Sequence, residues 1–160
     1  MRILALDPGP EQTAYVFYDG KTPGVFGICA NFIMQEIIST SKTLNSSPVD
    51  QLVIEGIACY GMPVGKETFE TCYWIGRFWQ SFGSAELVYR RDVKIHLCGS
   101  MKAKDPMIRQ ALLDRFGPGK DKAIGTKKNP GPLYGFKSHC WSALAVAVTY
   151  CETRKITNAH

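Results

Sequence analysis

The stretch RILALDPG, residues 2–9, decides the fold: a short apolar run that meets an acid at Asp7 and is closed by Pro8-Gly9. Such a run reads as a buried strand ending in a turn. Downstream, Thr13–Tyr18 and Gly24–Cys29 are β-branched or aromatic runs, with Asp19-Gly20 and Pro23-Gly24 as turn signals between them. Three such runs in succession predict a meander of antiparallel strands. Phe32–Leu44 then carries a rough helical stripe at Ile33, Met34, Ile37, Ile38 and Leu44, ended by the Ser/Asn/Pro cluster 45–48.

Gln51–Ile57 (QLVIEGI) repeats the opening pattern, an apolar run with an acid, Glu55, followed by Gly56. Lys66–Phe82 is a helix with aromatics on almost every side, so one side is expected on the sheet and another on a second subunit. Its candidate interface residues are Phe69, Tyr73, Trp74 and Phe78. Glu86–Arg90 reads as a short strand. Asp105-Pro106 opens a helix with a capping acid and a proline in the first turn, and Ile108, Ala111, Leu112 and Phe116 carry it to Gly117. Residues 117–137 are rich in Gly, Pro and Lys and read as a long basic loop, of a length usually functional or mobile. Ser138 is placed to cap a last helix, His139–Glu152, whose ALAVAV centre suits close packing on a sheet. The order strand, strand, strand, helix, strand, helix, strand, helix, helix describes an α/β layer fold with a mixed sheet.

The chain's 160 residues fit one domain, 1–160, of ordinary globular composition, with 45% hydrophobic and 21% charged residues. No apolar run reaches a membrane span, and the acid and proline within the first eight residues argue against an export signal. Six cysteines without a CxxC pair read as reduced, mostly buried thiols and not as a zinc site or disulfide framework. A cytoplasmic location is expected. The net charge of +5 is uneven: residues 90–137 hold twelve Lys/Arg against four Asp/Glu, while the remainder is mildly acidic. Such a basic half either meets a polyanion or is simply a solvated face.

If the strands at 2–7 and 51–55 lie side by side and parallel, Asp7 and Glu55 converge where α/β sheets collect ligands, and their oxygens suit Mg²⁺ or Mn²⁺. Asp7 alone could equally be a turn former. Glu55 is harder to set aside, because an unpaired carboxylate in an apolar run is costly to bury. His139 and Ser142, three apart at the start of the last helix, share a face. His139 is either a third ligand or a cap residue, and Ser142 offers a hydroxyl to a ligand water.

The opening ILALDPGPEQTAYVFYDG, the strand VIEGI, the segment RRDVKIHLCGSMKAKDPMIRQALLDRFG and the ending SHCWSALAVAVTYC, in that order and spacing, resemble the RuvC family of Holliday-junction resolvases, closest to its phage-encoded members. The resemblance spans nearly the whole chain. It implies an RNase H-like fold with a mixed five-stranded sheet flanked by helices, a three-strand antiparallel meander joined to two parallel strands. It also implies a homodimer and a divalent-metal endonuclease that cuts four-way or otherwise branched DNA. The family's first two acids fall on Asp7 and Glu55, its third ligand on His139, and its fourth, an Asp, on Ser142.

Ser142 is the departure. A water held by Ser142 completes the shell, or another acid substitutes, Asp105 rather than Glu152 or Asp114, or the site is weakened and the protein binds branched DNA without cutting it efficiently. Phosphate contacts are expected from Lys94, Lys102, Lys104, Lys127 and Lys128. The resemblance places Ala58 where the family presents a junction-probing aromatic, which leaves Tyr60 or Met62 to take that part. Tyr60 is the better stacking group, unless it packs on its own domain. An actin-like phosphotransferase shares the Asp-x-Gly start, but no second glycine-rich phosphate loop is evident.

Overall fold

The computed structural model describes residues 1–43 and 48–157; Leu44, most of the cluster at 45–48 and His160 lie outside the described residues. Five strands run as β1 (Ile3–Pro8), β2 (Gln12–Tyr18), β3 (Pro23–Ala30), β4 (Gln51–Gly56) and β5 (Glu86–Tyr89). Helices are α1 (Asn31–Ser41), α2 (Lys66–Phe82), α3 (Arg90–Cys98), α4 (Asp105–Phe116), the short α5 (Lys120–Ala123) and α6 (Cys140–Thr157). The sheet order is β3-β2-β1-β4-β5. β1, β2 and β3 form the antiparallel meander, while β4 pairs parallel with β1 and β5 parallel with β4. The mixed five-stranded sheet is the one expected from the sequence.

Alternation along the strands sorts side chains to two faces. Leu4, Leu6, Leu52 and Ile54 join Met34, Ile38, Phe78 and Phe82 in the core beneath α1 and α2. Ile3, Ala5 and Val53 join the other core, built on α6 with α3 and α4. α6 is buried from Cys140 to Cys151 except at Ser142, and its alanines 143, 145 and 147 let the helix lie close between the sheet and α3. A helix apolar all round is stable only when covered on all sides, and here it is.

Several elements depart from the sequence reading. Arg90 does not end β5; it opens α3, a helix unmarked in the sequence order. Val93 and Leu97, four apart, bury its inner edge, and Gly99 closes it with φ 68 and an amide bond to the Ile95 carbonyl. The 117–137 segment is not an open loop. Ala123 and Leu133 are fully buried, and the Leu133 amide bonds the Ala123 carbonyl at 2.8 Å. A Cβ on Gly131 would sit 2.4 Å from the Lys122 carbonyl oxygen, so this fold-back needs glycine there. Among the cysteines only Cys140 and Cys151 are buried, and Cys72 is exposed.

Phe78 is the clear correction to the expected subunit interface. It is fully buried in its own core and packs against Trp74, ring centroids 5.7 Å apart. Phe69 and Tyr73 are the most exposed aromatics of α2, at 65% and 61%, and Trp79 is exposed as well. Composition shows that α2 is aromatic all round, but only packing decides which face turns inward.

Candidate metal centre and nucleic-acid interface

Leu6 pairs with Ile54 across the parallel β1–β4 ladder, so Asp7 and Glu55 are the next residues in step. Both follow the alternation of Ala5 and Val53 and point to the α6 side of the sheet. Their side chains are 15% and 14% exposed. Two nearly buried carboxylates this close cannot both ionise cheaply. Burial first, then the neighbouring Asp7 charge, push the Glu55 carboxyl up to about 8, with the Arg90 guanidinium acting in the opposite direction.

The start of α6 meets this pair. Ser138, at φ 46, lies two residues before the helix, so the turn and not a helical residue presents His139. His139 Nδ1 stands 3.0 Å from Asp7 Oδ2, while its ring remains largely open to solvent. Asp7, Glu55, Arg90, Asp105, His139 and Ser142, with Ser138, line one hollow of about 430 Å³. The expected site residues are therefore brought together from four distant parts of the chain. Asp105 reaches this hollow but is engaged by Arg90, whose guanidinium also lies 3.8 Å from Glu55 Oε1. Among the described residues no three His, Cys, Asp or Glu side chains are gathered tightly enough to hold a metal as they stand. The donor chemistry nevertheless fits a hard divalent cation: two repelling carboxylates, nearly buried, beside an imidazole and a hydroxyl.

The turn after Asp7 is fixed by a residue that the sequence reading passed over. Asn31, buried at the head of α1, accepts a bond from Thr13 Oγ1 at 2.6 Å and donates Nδ2 to the Gly9 carbonyl at 2.9 Å. Its backbone N–H donates to the Glu11 carbonyl at 3.0 Å. Asn directly after a strand, at a helix start, was the available signal.

Basic hollows flank the carboxylates. On one side Arg109 and Lys137 border a hollow with Phe136 and Trp141, and Arg109 stacks over the Trp141 ring at 4.7 Å. On the other, Tyr60, Arg91, Lys94 and Met101 border a second, and Lys94, Lys102 and Lys104 a third. Tyr60 is 64% exposed and holds φ 48, a left-handed conformation uncommon for a non-glycine residue, before Gly61 at φ 81. Lys127 and Lys128 are exposed but do not line the carboxylate hollow. Arg90, Arg91, Arg109 and Lys137 are functional candidates that the sequence reading did not single out. Glu152 is occupied elsewhere, 2.6 Å from His96 and bonded by Arg115, and Asp114 accepts from Gln110 on the surface.

No family model and no curated protein matches the chain. Solved structures do. The structure of Thermus thermophilus RuvC superposes with a TM-score of 0.68 at 14% identity, covering 97% of this chain and 96% of that one. The chain has a RuvC-like, RNase H-type fold. T. thermophilus RuvC in complex with Holliday junction substrate gives 0.70 at 13% identity over 98% and 96% of the two chains. The coverage is nearly end to end on both sides, so the RuvC-like likeness takes in the described sheet and the α6 start together.

Proposed function

We propose that the chain is a single-domain, divalent-metal-dependent endonuclease that hydrolyses phosphodiester bonds in branched DNA, Holliday junctions foremost. It acts as a cytoplasmic homodimer of the kind the sequence likens to phage-encoded resolvases. The observation that carries this reading is the pair Asp7 and Glu55, adjacent on parallel strands, nearly buried and facing His139 and Ser142. Asp7, Glu55 and His139 would hold Mg²⁺ or Mn²⁺, with Ser142 and Asp105 at the margin. Ions so held supply an activated water and neutralise charge on the leaving 3′-oxygen. The chain's own part is to fix the carboxylates through the β1–β4 register, to orient His139 by its bond to Asp7, and to seat phosphates on Lys94, Lys102 and Lys104. Tyr60, exposed at the edge of that basic face, is available to stack on an unpaired base at the branch point. Phe69, Tyr73 and the half-buried Trp74 offer the dimer face.

A second reading has a specific observation behind it. Ser142 is a neutral hydroxyl where the resemblance places an Asp, which favours a branched-DNA-binding protein of weakened catalysis. One experiment separates the two. Labelled four-way junction, fork and linear duplex are incubated with Mg²⁺ or Mn²⁺, using wild type, Asp7→Asn and Ser142→Asp. Nicking of branched substrates by wild type and its loss in Asp7→Asn support the nuclease; nicking only by Ser142→Asp supports the weakened protein. Wild-type nicking that survives Asp7→Asn rejects the site.

A further inference from the structure

Arg90 has a role that the carboxylates alone do not suggest. It is the first residue of α3, directly after β5, and its side chain is 30% exposed. Its guanidinium faces two acids at once, Asp105 on α4 and Glu55 on β4, the latter at 3.8 Å. It also lines three hollows: the carboxylate hollow, the one bordered by Arg109 and Lys137, and the one bordered by Arg91 and Lys94. Arg90 is thus the positive charge at the point where two basic surfaces meet the candidate metal centre.

We propose that Arg90 is a built-in cation that a divalent ion hands over to DNA phosphate: in the free protein it is held by Asp105 beside Glu55 and, once a divalent cation takes Glu55, it binds the DNA phosphate that crosses the carboxylate hollow. The chemistry follows from three facts. A guanidinium is always charged, so Arg90 keeps a positive charge beside Glu55 that an incoming cation must meet. A cation arriving at Asp7 and Glu55 repels a guanidinium a few ångströms away. The planar fork suits a phosphate as well as a carboxylate, and the cations on either side mark the route of a nucleic-acid backbone. Asp105, the other anchor, keeps the freed side chain at the rim of the hollow instead of loose in solvent.

The inference rests on the proposed metal-dependent reading, and binding measurements test it without turnover. Ca²⁺ is titrated calorimetrically into DNA-free wild type, Arg90→Gln and Arg90→Ala. A fluorescent four-way junction is titrated by anisotropy in Ca²⁺ across a salt series. Removing the competing charge should tighten Ca²⁺ binding about three- to tenfold in both variants. The same variants should bind the junction about tenfold more weakly in Ca²⁺ and lose about one unit of slope in log K against log salt, the signature of one phosphate contact. Thermal melting separates out a purely structural clamp, which lowers the melting temperature but leaves Ca²⁺ affinity and the salt slope where they were. That outcome, or weaker Ca²⁺ binding in the variants, or an unchanged salt slope, overturns the role of Arg90 alone. A wild type that binds neither Ca²⁺ nor junction overturns both this inference and the metal-dependent reading beneath it.

Discussion

His139 Nδ1 lies 3.0 Å from Asp7 Oδ2, a contact between residues 132 positions apart that ties the start of α6 to the end of β1. Glu55 is beside Asp7 on the next strand, so the contact gathers acid, acid and imidazole at one end of the sheet. Replacing Asp7 by Asn keeps the shape and removes the charge that opposes ionisation of Glu55. Asp7→Asn should lower junction nicking on the order of 10²-fold or more, while the metal-free protein melts at or above the wild-type temperature. Gel assays and calorimetry read the two effects separately.

Glu55 makes metal-free stability depend on pH. Its folded carboxyl titrates near 8 against an ordinary 4.5, so between those values the folded state holds more protons than the unfolded one. Stability therefore falls as pH rises through this window, and is greatest on the acid side of it as far as this group is concerned. Urea unfolding in EDTA from pH 5 to pH 8 should show the decline, and Glu55→Gln should flatten it. Metal must displace the same proton, so Mg²⁺ affinity should climb over the same range.

Asn31 is expected to matter more than its type suggests. Asn31→Ala leaves the Gly9 carbonyl and the Thr13 hydroxyl without their partner in a buried setting, a loss of about 1–3 kcal/mol. The turn that follows Asp7 loosens with it, so nicking should fall as well. Chemical denaturation together with the junction assay checks both.

The two classes of aromatic on α2 should behave differently. Phe78→Ala empties a fully buried site and should cost about 3–5 kcal/mol at any protein concentration. Phe69→Ser with Tyr73→Ser removes only exposed rings and should leave monomer stability within about 0.5 kcal/mol. That double variant should sediment as a monomer where wild type sediments as a dimer, as measured by analytical ultracentrifugation.

What the sequence disclosed follows a physical rule. Asp7 and Glu55 stand out because each interrupts an apolar run, and a carboxylate there needs a reason. The pair His139 and Ser142 was legible from helical spacing, although the turn at Ser138, and not a helical residue, presents the histidine. Arg90 was illegible because its importance comes from β5 lying beside β4, a tertiary fact absent from local periodicity. α3 hid for a related reason: RRDVKIHLC carries only Val93 and Leu97 as buried markers, too few to register as a stripe. Phe78 was misassigned because aromatic residues surround α2, and composition does not rank its faces.

Whether one cation is shared by Asp7 and Glu55 is read from a crystal soaked in Mn²⁺, through the anomalous signal at the manganese edge. A peak is expected within coordination distance of both carboxylates, absent from Asp7→Asn crystals treated identically. Crystals of protein that nicks junctions in Mn²⁺, showing manganese bound elsewhere and none at this pair, would contradict it.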